Sequence, residues 1–69
     1  METFELDDYG FIELNKLLKI MGLAITGGEA KQLIDDGQVY VNGAVEMQRR
    51  KKLRQGDVVK LGDTEVKVV

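Results

Sequence analysis

The sequence contains no cysteine and no histidine. Together these absences exclude disulfides, thiol nucleophiles and the usual zinc sites, and they remove the commonest general base. Every longer apolar stretch is interrupted by charge or glycine, so none reaches the roughly 18 residues of a membrane span. The segment from Met1 to Asp8 carries four carboxylates and no basic side chain, the reverse of a secretory or organelle leader. A cytoplasmic location is therefore expected. Neither the Walker spacing nor a dinucleotide-binding glycine pattern is present. Asp35 and Asp36, adjacent on an expected helix, would point about 100° apart and do not converge as an acid–base pair. No catalysis, cofactor or metal is expected.

There is also no internal repeat, proline-rich linker or low-complexity tract. With 69 residues, 43% of them apolar and 32% charged, the chain reads as one globular domain spanning 1–69. A domain of this size buries only about 60% of the surface its unfolded chain exposes, so its core must be small.

What the sequence does have is polarised charge. Five of the six residues from Arg49 to Arg54 are basic, namely Arg49, Arg50, Lys51, Lys52 and Arg54. The chain as a whole carries a formal charge of −2, which leaves about −7 outside this run. The pI near 5.0 is unlike that of a basic tail. With a Debye length of about 8 Å at physiological salt, however, a ligand at the run feels distant carboxylates weakly. The run is the electrostatic footprint of a surface that holds phosphates. Like charges this close repel by about 1 kcal/mol per pair even in water, a cost that an anionic partner would offset. Leu53, inside the run, is expected to anchor it in the core.

Periodicity places the run between two hairpins. Thr3 to Leu6 alternates and predicts a short edge strand. Phe11, Leu14, Leu17, Leu18 and Met21 recur at spacings of three and four, which predicts a first helix over this range, ended by Gly22. Thr26-Gly27-Gly28-Glu29 reads as a capping box opening a second helix, in which Glu29 reaches back to the Thr26 N–H. Ala30, Leu33 and Ile34 form its inward stripe, and Gly37 ends it. The period then changes to two. Val39 to Val41 and Ala44 to Met47 flank Asn42-Gly43, a strong hairpin signal. Val58 to Leu61 and Thr64 to Val69 flank Gly62-Asp63, in a register that opposes Leu61 to Thr64, Lys60 to Glu65 and Val59 to Val66. The expected fold class is α+β, two short helices on a small antiparallel sheet of about four to five strands.

Other positions bear on the same chemistry. Gly27 and Gly28 leave the first amides of the second helix unshielded, where the helix dipole favours an anion, although such glycines could equally serve tight packing. Lys31 and Gln32 could extend a backbone contact along that helix. Tyr40 points away from Val39 and Val41 and could stack on a base or simply pack at the sheet edge. Lys16 and Lys19 are expected to face solvent, and Asp57 to form a turn.

The string Gly27-Gly28-Glu29-Ala30-Lys31, then Ile34, Gly37, Val39, Val41-Asn42-Gly43 and Gly56-Asp57-Val58 resembles the RNA-binding domain named after the fourth protein of the small ribosomal subunit. The likeness runs from about Phe11 to Val69 and is greater to small bacterial proteins that consist of the domain alone. It implies a fold of the alpha-L RNA-binding motif type and a partner that is ribosomal RNA, transfer RNA or a ribosomal particle. It also implies RNA contacts at Thr26, Gly27, Gly28, Lys31 and Arg49 to Lys52, with Arg54 beside them. Where many members open the first helix with arginine-leucine-aspartate, this chain has Ile12-Glu13-Leu14, which supplies no cation there. The reading is thus a non-catalytic RNA-binding protein. The alternative is an adaptor whose basic loop docks an acidic protein.

Overall fold

The computed structural model describes residues 1–8 and 10–69. Alternating valines build a five-stranded sheet in the order β1-β7-β6-β3-β4, from β1 (Glu2–Phe4), β3 (Val39–Val41), β4 (Ala44–Val45), β6 (Val58–Leu61) and β7 (Thr64–Val68). In the β3–β4 turn both Asn42 (φ 52°) and Gly43 (φ 87°) have positive φ, the requirement that makes Asn-Gly the preferred pair. The β6–β7 hairpin has the register that the side-chain pattern demands, with Val59 opposite Val66, Lys60 opposite Glu65 and Leu61 opposite Thr64. β3 lies antiparallel to β6, and β1 joins β7 in parallel, so the expected edge strand forms slightly earlier and adds a parallel margin to the sheet. The strand after Asn42-Gly43 is shorter than its pattern suggests and ends at Val45.

The first helix differs most from expectation. α1 covers only Leu14–Ile20, because Ile12–Glu13 form a strand, β2, antiparallel to β5 (Lys52–Leu53). Ile12 and Glu13 fall within the range of the predicted helix but are drawn into this second, two-stranded sheet by a partner some forty residues away in sequence, and Phe11 precedes it. The run from Arg49 to Arg54 is accordingly not a plain loop: part of it is β5.

α2 (Gly27–Asp35) follows a short connection. Both helices end alike. In α1 the Leu23 N–H donates to the Leu18 carbonyl and the Gly22 N–H to that of Lys19; in α2 the Gln38 N–H donates to Leu33 and the Gly37 N–H to Ile34. These are Schellman motifs, and the glycines at φ 75° and 73° supply the left-handed residue each needs.

The two helices cover one face of the sheet. Leu14, Leu17 and Leu18 of α1, Ala24, and Ala30 and Ile34 of α2 meet Val39, Val41, Val59, Val66 and Val68 in one core, closed by Leu53. Among the described residues no polar side chain is buried in it. No helix among the described residues is long and apolar enough to cross a membrane.

Leu53 is fully buried while its neighbours Lys52 and Arg54 are exposed, so this single side chain ties the basic run to the core. Leu53→Ala is expected to cost about 2–5 kcal/mol, a large part of the stability of a domain this small. Lys52→Ala should stay within about 0.5 kcal/mol. Urea denaturation of the two variants checks the contrast.

Candidate nucleic-acid interface

Glu13, the cap residue of α1, makes no side-chain cap. The helix's first amides bond instead to the backbone of the basic run: the Leu14 N–H donates to the Lys51 carbonyl at 2.9 Å and the Asn15 N–H to the Arg49 carbonyl at 3.0 Å. Unsatisfied amides at a helix start need such partners, so α1 fixes where the run lies. Together with the β2–β5 pairing and Leu53, this turns a flexible-looking charged segment into a positioned one.

Two carboxylates fasten its ends. The Arg49 guanidinium grips Asp35 with two bonds, Nε to Oδ1 at 3.0 Å and Nη2 to Oδ2. The Arg49 hydrogen bond holds the Asp35 carboxyl below its usual value, partial desolvation opposes it, and the guanidinium is raised in return. At the other end Asp57 accepts from the Arg54 N–H at 2.8 Å and from the Asn42 side-chain amide at 3.0 Å, while Asn42 Oδ1 accepts from the Val58 N–H at 2.9 Å. Burial pushes the Asp57 carboxyl up, but these bonds and the charges of Lys51 and Arg54 outweigh it and hold it low. Asp57 is a turn residue, as its sequence context suggests, and it also joins the run to the Asn-Gly hairpin.

Between these ties the cations are presented outward. Arg50, Lys52 and Arg54 are exposed and Lys51 is half-buried. Among the described residues Arg49 is the one member of the run in a salt bridge, which changes its expected part: it docks the segment as much as it offers charge. Lys52 Nζ lies 5.0 Å and the Arg54 guanidinium carbon 5.7 Å from the centre of the Phe11 ring. Phe11, expected on a helix, instead carries two cation–π contacts.

At the start of α2 the Thr26 hydroxyl accepts from the Glu29 N–H at 3.1 Å. Glu29 Oε1 accepts from the Ile25 N–H at 3.0 Å, one residue earlier than a capping box requires. A Cβ on Gly27 would meet nothing within 4 Å, and one on Gly28 only Thr26 Oγ1 at 3.8 Å. Tight packing therefore does not explain these glycines.

Gly27, Lys31 and Asp35 are spaced by four and share one face of α2, over about 12 Å of helix axis. The helix entrance and the basic run thus lie at the two ends of that face. Lys31, exposed and in no salt bridge among the described residues, stands between them. Gln32 is engaged within the helix, its side-chain amide donating to Asp36 at 2.9 Å. Tyr40 is not part of this arrangement. It pairs with Val45 and Lys60 on the sheet face opposite the helices, 41% exposed.

Asp35, Asn42 and Phe11 are the contributors that sequence reading misses. Asp35 and Arg49 are fourteen positions apart on different elements, and no local spacing announces their contact.

The sequence profile described as S4 domain matches residues 4–69. The YbcJ protein of Escherichia coli (strain K12) is 42% identical over 69 residues, which covers all of this chain and 99% of that one, and YbcJ of Shigella flexneri matches to the same extent. The solution structure of E. coli YbcJ matches with a TM-score of 0.76 at 42% identity, covering all of this chain and 87% of that one. That protein is described as revealing an ALFAL motif involved in RNA binding.

Because Asp35 and Asp57 both titrate lower in the folded state than in the unfolded chain, where a carboxylate sits near about 3.9, their contribution is present above that value. It is lost as pH falls through the folded-state value. Urea midpoints should therefore drop between pH 5 and pH 3, and Asp57→Asn should flatten that drop. Asp35→Asn should release Arg49 and speed hydrogen exchange at the Leu14 and Asn15 amides, leaving the β6–β7 amides unchanged.

Proposed function

This chain belongs to the S4 domain family, and from that premise we propose that it is a non-catalytic RNA-binding protein that recognises structured RNA through phosphate position and shape. The observation that carries the reading is the immobilised cationic run. Its backbone caps α1, its leucine is in the core, and its free charges stand at the end of an α2 face that begins with bare amides. The RNA-binding description of YbcJ, at 42% identity across the whole chain, supports the same reading.

The proposed surface comprises Thr26, Gly27, Gly28 and Lys31 on α2, with Gln32 at its margin, and Arg50, Lys51, Lys52 and Arg54, positioned by Arg49. Tyr40 is left out of it. A-form RNA conceals its major-groove edges, so a small surface of this kind reads the spacing of backbone phosphates more readily than sequence. Ribosomal RNA, transfer RNA or a ribosomal particle in the cytoplasm offers such a target.

Binding of a fluorescent structured RNA, followed by anisotropy across a salt series, is the test. Neutralisation of about five phosphates gives a log–log slope of roughly −3 to −5. Arg50→Glu should lower affinity at least tenfold without shifting the urea midpoint. Arg49→Glu should do both, since it also breaks the tie to Asp35. Equal affinity of wild-type protein and Arg50→Glu would remove the run from the site. Binding to an acidic protein in place of RNA would favour the adaptor reading.

A further inference from the structure

A groove of about 460 Å³ opens between the amino-terminal segment and α1, outside the surface proposed above. Phe4, Phe11, Ile12 and Ile20 give it apolar walls, with Glu13 and Lys16 among the residues lining it. Its size falls within the range of small-ligand sites. Ile20, at the end of α1, is 62% exposed although the leucines of that helix are buried, so nothing in the core accounts for it.

Phe11 connects this groove to the basic run. Its ring lines the groove and also lies within 6 Å of the charged ends of both Lys52 and Arg54. An apolar slot with an aromatic wall, and cations on that same aromatic residue, matches a flat base joined to an anionic phosphate. The carboxylates of Asp7 and Glu13 also line the groove, and Lys16 Nζ sits 3.7 Å from Glu13. They would repel a phosphate placed inside, but they can accept hydrogen bonds from the exocyclic amine of adenine, cytosine or guanine. The phosphate therefore belongs at the cations and the base in the slot.

We propose that this groove holds one unstacked nucleobase from a bulge or loop, packed against Phe11, with its phosphate at Lys52 and Arg54. The proposal rests on the RNA-binding reading and adds to it a preference for unpaired positions, which backbone contacts alone would not give.

The test uses two RNA hairpins with the same stem, one continuous and one with a single bulged 2-aminopurine. Wild-type protein should bind the bulged RNA about tenfold more tightly, as one stacked base allows, and quench the 2-aminopurine fluorescence. Phe11→Leu should abolish the preference and the quenching, and Phe11→Tyr should retain both. Equal affinities with unchanged fluorescence of the wild-type complex would overturn the groove assignment and leave RNA binding in place. Failure to bind either hairpin would overturn both.

Discussion

The backbone bonds from Leu14 and Asn15 to the carbonyls of Lys51 and Arg49 are the constraint on which the site depends. α1 is a seven-residue helix with no side-chain cap, and isolated helices this short are not stable in water. It persists because its apolar side packs in the core and its exposed amides find acceptors on a distant segment. The same bonds hold that segment against the helical layer. Helix capping and charge placement are thus coupled through the same two bonds.

This coupling explains how an acidic protein can maintain a cationic ridge. Arg49 and Asp35 form a forked pair at the surface, and Asp57 gathers the Arg54 amide and the Asn42 side chain. Both carboxylates lie at the ends of the run, so their charges orient the segment while the side chains between them stay available. Surface pairs contribute little to global stability, but a pair that selects one position for a loop acts on where the charge is.

Much of the fold was legible in the sequence because it is determined locally. Asn42-Gly43 dictated its turn, the valine alternation dictated the β6–β7 register, and Thr26 with Gly37 marked the limits of α2. Legibility ended where distant residues compete. Phe11 to Glu13 fell within the range of a helical stripe, yet pairing with Leu53 and Lys52 turned Ile12 and Glu13 into a strand, and the Phe11 ring just before it lies near Lys52 and Arg54. The basic run was visible as charge but not as β-structure. Asp35 looked like an ordinary helix-end carboxylate, because its partner is brought to it only by the tertiary fold.

Gly27 and Gly28 have a consequence for how the helix entrance is maintained. Their φ values are not in the left-handed region, and an alanine methyl group would find open space at both, so the fold itself would accept the better helix former. Each glycine forgoes up to about 1 kcal/mol of helix propensity. Since no described neighbour benefits from the missing methyl groups, the vacancy they leave opens outward, onto the surface proposed to take RNA.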